Sequence, residues 1–267
     1  MGLLKKFLGP SQSLLLRYDH LDGMRMDELE EQLDEIGEFY RFSKLSDIVG
    51  GRRRPVRGGA AVLFENARKS LFLWAAPLLM RKQIPFTVFL RPDCIGLNRL
   101  PVSEEVAAFQ EQYADRLSQT EAMGLVDLAW HDPGEVETRL LHLRRQLGPL
   151  PVEKLDPTRF FATWGKILEI PPDCIEFGWH LTSGPDNPKL LGDAIEFIRR
   201  QTKRVVRMAF SEREGHSRNS LAGFGIEGLV TGNSWAVERD TDAFCLPCWP
   251  LERVTLDEKS TTDIKAQ

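Results

Sequence analysis

Two short apolar runs joined by one helix-length segment constrain the fold of this chain more than any other feature. The first run, residues 60–64, ends abruptly at the polar pair Glu65 and Asn66, and its length suits a strand buried on both faces. Residues 70–80 then carry the apolar spacing of a helix, and residues 83–90 form a second β-rich run. Strand, helix and strand in this order predict a parallel βαβ unit.

The same rhythm extends over most of the chain. Further predicted strands cover residues 13–19, 174–180, 204–210, 226–231 and 243–250, and further predicted helices cover residues 26–40, 158–168, 190–201 and 217–223. Residues 101–158 depart from this rhythm, because they contain charged amphipathic helices over 104–122 and 135–147. We expect a helical insertion there that covers one side of an α/β barrel or sheet.

Composition and charge limit the partners. The 267 residues are 42% hydrophobic and 28% charged, which is ordinary for a globular domain, and the net charge of -4 argues against nucleic acid or an anionic membrane as a partner. The first ten residues are too short for a signal-peptide core and no later run approaches a membrane span, so the prediction is a cytoplasmic protein. The basic run at 52–57 is expected to be a solvated loop, and residues 257–267 a polar tail.

Polar side chains follow several of the predicted strands. Because the carboxyl ends of parallel strands face one mouth of a barrel, Asp19, Glu65, His180 and Glu212 are predicted to converge on an acidic pocket with one imidazole. Two simpler interpretations stay open. Glu65 can be solvated with Asn66 capping the following helix, and His180 and Glu212 can be a structural histidine and a loop residue.

The four cysteines are too few and too scattered for a disulfide framework in a chain of this length. Cys245 and Cys248 have the spacing of a redox motif or half of a zinc site, but no second cysteine pair accompanies them. We therefore favour a structural pair of thiols on a strand over a redox or zinc role.

Several short motifs, in this order, resemble those of the polysaccharide deacetylase family, the NodB-homology carbohydrate esterases. The family's Thr-Phe-Asp-Asp-Gly strand end is matched by Leu63-Phe64-Glu65-Asn66-Ala67, its Pro-Leu-Leu helix by Pro77-Leu78-Leu79, and its next strand by Ile84-Pro85-Phe86-Thr87-Val88-Phe89. Its Glu-Ile-Gly-Ser-His segment is similar to Glu176-Phe177-Gly178-Trp179-His180, and its Phe-x-Leu-Pro-Arg segment to Phe244-Cys245-Leu246-Pro247-Cys248. The resemblance implies a distorted (β/α)7-8 barrel over residues 1–256, with 101–158 as a helical insertion.

The resemblance also implies a chemistry and shows where this chain departs from it. In that family one Asp and two His hold a divalent metal that activates water, and a nearby carboxylate takes the proton. Here Glu65 stands for the base, Asn66 for the metal aspartate, His180 for the first histidine and Gly184 for the second. A neutral amide is a poor ligand for zinc and glycine has no donor side chain. No metal ligand is therefore assigned, and no cofactor is expected unless the protein is active, when a divalent metal such as zinc would be needed.

These departures lead to three functional hypotheses. The first is a deacetylase-like protein of carbohydrate or envelope glycan metabolism that has impaired or lost hydrolysis and still binds a glycan or a partner. The second is an active cytoplasmic hydrolase that removes an acetyl group from an N-acetylated sugar precursor. The third is a scaffold that docks a glycan-synthesis enzyme through residues 101–158. The candidate catalytic residues, for the case that hydrolysis survives, are Glu65 and His180, and the candidate substrate-binding residues are Asp19, Asn66, Trp179 and Glu212.

Overall fold

A computed structural model describes most of the chain. The described residues are 13–18, 21, 26–50, 58–97, 99–113, 116–148, 150, 155–182, 188–211, 218–231 and 242–250. The predicted basic loop at 52–57 and the predicted polar tail at 257–267 lie outside them, and so do Asp19, Gly184 and Glu212.

One sheet of parallel strands forms the centre of the molecule. Its strands are β1 (Leu14–Tyr18), β2 (Arg41–Phe42), β3 (Gly59–Phe64), β4 (Phe86–Leu90), β5 (Ile175–His180), β6 (Met208–Ser211), β7 (Gly228–Thr231), β8 (Leu246–Pro247) and β9 (Trp249–Pro250). The order across the sheet is β8-β7-β6-β5-β4-β3-β1-β9, with β2 beside β3, and every pairing is parallel. The predicted parallel α/β architecture is confirmed.

The last described segment closes the sheet into a barrel. Leu246 of β8 pairs with Val230 of β7, and three residues later Trp249 of β9 pairs with Leu16 of β1. Five residues therefore join the two edges of the sheet, and they replace the single longer strand predicted over 243–250. The distorted barrel that the resemblance implied is the observed architecture.

Alternation along the strands divides the core into two layers. The inner layer, inside the barrel, is small and includes Leu15, Leu63, Phe89 and Phe210. The outer layer, between the sheet and the helices, is much larger and buries the alternate residues of the same strands, such as Phe64 of β3. A side chain at a strand end thus faces the barrel interior only if it lies an even number of residues from an inner-layer residue of the same strand, which we call the inner parity.

The helices flank the barrel. They are α1 (Met26–Gly37), α2 (Leu45–Gly50), α3 (Ala76–Arg81), α4 (Val102–Gln112), α5 (Gln119–His131), α6 (Pro133–Leu147), α7 (Trp164–Leu168), α8 (Pro188–Thr202) and α9 (Arg218–Gly223). A π-helical turn at Leu71–Ala75 precedes α3, so the helix predicted over 70–80 begins with an irregular turn. Such turns occur often beside functional sites. Within the described residues, no helix combines the length and the apolarity needed to cross a membrane.

The insertion contains three helices rather than the two predicted. Ser118 and Glu121 form a reciprocal capping box that starts α5, and Asp132 caps α6 with Pro133 in its first turn. The predicted helix over 104–122 is therefore interrupted, and the predicted connection after 122 is helical. The three helices bury their own apolar cluster, which includes Val106, Phe109 and Leu140.

One buried arginine ties the insertion to the segment that follows β3. The side chain of Arg68 is 2% exposed, forms an ion pair with Glu104 of α4, donates to the carbonyl oxygen of Arg159 and lies over the ring of Phe161, 5.4 Å from its centroid. Removing a partner from a buried charge is costly. The insertion is thus anchored close to Glu65 and Asn66.

Candidate functional site

The end of β3 buries both polar residues that follow it. Glu65 is 3% exposed and Asn66 is 5% exposed, and the backbone N–H of Glu65 donates to the carbonyl oxygen of Tyr18 at the end of β1. The next helical turn has Ser70 at its N-cap without a side-chain cap bond, so Asn66 does not cap it. The interpretation of a solvated Glu65 and a capping Asn66 is therefore wrong.

An arginine on β1 neutralises Glu65. Arg17 Nη1 lies 2.6 Å from Glu65 Oε1, and these side chains are 19% and 4% exposed. Arg17 has the parity of Leu15, so its side chain enters the barrel, and its guanidinium carbon lies 5.8 Å from the centroid of the Phe210 ring. Arg17 was not predicted as a site residue. The signal for it was a charged side chain inside an otherwise apolar strand.

His180 reaches the same interior from the end of β5. It is 2% exposed, and its ring centroid lies 5.1 Å from that of Phe210. Two residues earlier, Gly178 leaves room for Phe89, since a Cβ atom at position 178 would lie 2.3 Å from Phe89 Cδ1. Tight packing of Phe89 below His180 thus depends on a glycine at this position of the strand.

A loop after β4 adds charge near His180. Arg91 Nη2 lies 3.3 Å from Asp93 Oδ2. Partial burial opposes ionisation of Asp93, but the adjacent Arg91 outweighs it, and together with a smaller contribution from His180 it holds the pKa of this carboxyl below its usual value. The Asp93 carboxylate is therefore ionised at neutral pH.

A buried thiol completes the cluster. Cys248, between β8 and β9, is fully buried, and its Sγ donates to the carbonyl oxygen of Thr231 at 2.9 Å. Burial raises the pKa of this thiol to about 12, while Arg17 lowers it and Glu65 raises it further. The thiol therefore stays protonated and is a weak nucleophile at neutral pH. Cys245, by contrast, is exposed, and both thiols are free.

We call Arg17, Glu65, His180, Phe210 and Cys248 the mouth cluster. The candidate catalytic residues Glu65 and His180 both belong to it, joined through Arg17 and Phe210, and Asn66 lies beside it in sequence. Trp179 does not join them. It has the opposite parity to His180, is 1% exposed in the outer layer, and its ring packs edge-on against Phe224 with centroids 6.4 Å apart.

The described members of this cluster do not fit a divalent metal. Among the described residues, no three His, Cys, Asp or Glu side chains are placed to hold one ion. The oxygen donors are a neutral amide and a carboxylate that is already paired with a guanidinium. The sulfur donor, Cys248, is hydrogen-bonded to a carbonyl oxygen. The partly buried guanidinium of Arg17 balances the charge of Glu65 and repels a second cation nearby.

Comparison with known proteins identifies the fold. No family model matches the sequence, and no curated protein matches it either. Solved structures do match: the BpsB deacetylase domain from Bordetella bronchiseptica (13% identity, TM-score 0.57, 91% of this chain and 96% of that one) and IcaB from Ammonifex degensii (14%, 0.56, 91% and 93%). The Streptococcus pyogenes deacetylase PplD, solved in complex with acetate, matches with 12% identity, a TM-score of 0.54 and 90% and 91% coverage. The described chain thus has the polysaccharide-deacetylase fold that its motifs resemble.

Proposed function

We propose that this protein is a deacetylase-like protein of glycan metabolism that binds a glycan at the barrel mouth and has lost metal-dependent deacetylation. One observation carries the proposal: the ion pair between Arg17 and Glu65, with 2.6 Å between nitrogen and oxygen. The fold links the chain to deacetylases, and this pair occupies the carboxylate that such chemistry would need.

The ion pair opposes the inherited reaction in two ways. The guanidinium contact occupies one of the two oxygens through which Glu65 could accept a proton from water. The positive charge of Arg17 also disfavours a divalent cation next to Glu65. Asn66 at the position of the metal aspartate adds a neutral ligand where the reaction requires a charged one.

The same residues offer contacts for a polar ligand. Within the described part of the chain, Arg17 Nε and Asn66 Oδ1 are buried without a hydrogen-bond partner. A buried donor and a buried acceptor that lack partners are costly unless a ligand or water satisfies them. Vicinal sugar hydroxyls both donate and accept, so a glycan has the matching chemistry.

Metal content and glycan binding together test the proposal. Protein purified without chelator and then incubated with zinc should contain far less than one equivalent of metal by elemental analysis. Chitin and cellulose oligosaccharides should bind to the wild type, as followed by calorimetry, and more weakly to Asn66→Ala. Near-stoichiometric metal that is lost in His180→Ala would contradict the loss of the metal site.

The runner-up is an active cytoplasmic hydrolase that acts on an N-acetylated sugar precursor. It is favoured by one observation, since Glu65 and His180 bring a carboxylate and an imidazole to the same buried cluster. If it is right, release of acetate from a panel of acetylated sugars should fall by roughly 10²-fold or more in Glu65→Gln and in His180→Ala. If the wild type releases acetate and both variants lose that activity, the active hydrolase is the correct function and the first proposal is wrong.

A further inference from the structure

A second charged site lies at the opposite end of the barrel. A cavity of about 210 Å³ opens where β5 and β6 begin, and its polar lining comes from Lys44, Ser46, Glu176, Arg204 and Arg207. Its volume is below the roughly 300–1,000 Å³ of typical sites for drug-sized ligands, so it suits a small ion or group better than a glycan chain. We call it the base cavity.

Its three cations are poorly matched by carboxylates. Among the described residues, neither Lys44 nor Arg204 has a carboxylate oxygen within 4.0 Å, and Arg207 has only Glu227, at 3.8 Å. Lys44 Nζ donates to the carbonyl oxygen of Pro172 at 3.2 Å.

Arg204 is held in place but weakly bonded. Its guanidinium lies 4.7 Å from the centroid of the Phe177 ring, and it reaches the carbonyl oxygens of Ile175 and Ile170 only at 3.4 Å each. Those distances exceed the usual 2.9–3.0 Å of an N–H···O bond. Its planar fork is thus oriented by an aromatic face, and its N–H groups keep capacity for a stronger acceptor.

The acid in the cavity is fixed by other contacts. Glu176 Oε2 accepts from Thr87 Oγ1 at 3.0 Å and from the backbone N–H of Ser46 at 3.2 Å. Glu176 contributes one negative charge against three positive charges. Counted over the lining residues the surplus is two positive charges, and with Glu227, which lies 3.8 Å from Arg207, it is one, in a chain whose net charge is -4.

We infer that the base cavity binds a doubly charged phosphate group, either as the free ion or as a phosphate monoester. At neutral pH such a group carries a charge near -2 and three acceptor oxygens, which complement the surplus of positive charge and the donors of Lys44, Arg204 and Arg207. Lys44 and Arg204 are half-buried, which strengthens their contacts relative to those on an open surface, while Arg207 contributes from an exposed position. The inference is independent of the function proposed for the mouth cluster, because the two sites share no residue.

Calorimetric titration tests the site with two probes, inorganic phosphate and glucose 6-phosphate, and with glucose as the uncharged control. The test variant is Lys44→Gln/Arg207→Gln, which keeps Arg204 and the packing of Phe177. The matched control is Arg139→Gln/Arg145→Gln on α6, which changes the net charge equally at exposed positions of the insertion. Thermal unfolding of each variant shows that it is folded.

We expect saturable binding of at least one phosphate probe to the wild type and to the control, and binding about ten-fold or more weaker in the test variant. Tighter binding of glucose 6-phosphate would assign the site to a monoester, and tighter binding of inorganic phosphate to the free ion. No saturable binding to the wild type, equal binding to the test variant, or an equal loss in the control would each overturn the inference.

Discussion

The two ends of the barrel handle charge in opposite ways. At the mouth, cations face acids at short distances, with 2.6 Å between Arg17 and Glu65 and 3.3 Å between Arg91 and Asp93. At the base cavity, three cations surround one acid that is already bonded to other groups. The cations at the mouth are thus neutralised by neighbouring acids, whereas those at the base cavity keep a surplus of positive charge.

The largest effect should come from breaking the mouth pair. Arg17→Met removes the guanidinium partner of a carboxylate that is 4% exposed, and the expected loss is about 3–5 kcal/mol of unfolding free energy, measured by urea denaturation. Arg81→Met, which removes an exposed pair with Glu30, should cost less than about 1 kcal/mol. In Arg17→Met/Glu65→Gln, part of the loss should return. An equal loss of unfolding free energy in Arg17→Met and Arg81→Met would show that the mouth pair is no more important for stability than an exposed pair.

The packing below His180 should give the next largest effect. In Gly178→Ala the new methyl group would meet the Phe89 ring at 2.3 Å, so we expect a loss of about 1–3 kcal/mol in the same assay. Gly124→Ala lies in α5 with open space around its Cβ position, and there alanine should stabilise the helix by about 0.5–1 kcal/mol. An unchanged unfolding free energy in Gly178→Ala would mean that the Phe89 ring can move aside, and that the barrel interior below His180 is not tightly packed.

The buried thiol of Cys248 at the mouth should make the stability of the protein depend on pH. In the folded protein the pKa of Cys248 is about 12, whereas an unfolded thiol titrates near 8.5, so unfolding above that pH releases a proton and stability falls as pH rises. Between pH 8.5 and 9.5 this loss should be about 1 kcal/mol larger in the wild type than in Cys248→Ser. Urea denaturation at both pH values measures it, and parallel losses in the two proteins would show that Cys248 is not the group responsible.

The base cavity should give the smallest effect on stability. Lys44→Gln removes a half-buried cation that has no carboxylate within 4.0 Å among the described residues, so the unfolding free energy should change by less than about 0.5 kcal/mol. The measurement is again urea denaturation, without phosphate in the buffer. A loss as large as that of Arg17→Met would show that the cation is structural and that the contrast between the two ends is wrong.

Sequence patterns identified the frame of the fold better than its contacts. The strand before Glu65 follows from an apolar run with a sharp break, but that break does not show whether the two polar residues are solvated or buried, as they are in the structure. Trp179 illustrates a signal that was available: it neighbours His180 on one strand, and adjacent strand residues point to opposite faces, so the two could not share the interior.

Other features depended on tertiary pairing. Nothing local to Arg17 indicates that its partner lies 48 residues away on a neighbouring strand, and the parity of Cys248 depends on how the last segment crosses between two strands. The break in the helix predicted over 104–122 could have been predicted from the sequence, since Ser118 and Glu121 have the spacing of a capping box. Apolar spacing alone did not indicate it, because that spacing continues across residue 118.

The closing segment has a consequence for synthesis of the chain. Among the described strands β1 is made first, yet its outer neighbour β9 is made only after residue 248. The outer edge of β1 therefore stays open until then, and that of β7 stays open until β8 is made. Open strand edges invite pairing with other chains. At typical elongation rates of about 5–20 residues per second, the outer edge of β1 stays open for roughly ten seconds or more. A ribosome that stalls before residue 246 would therefore release an unclosed sheet that is prone to aggregate.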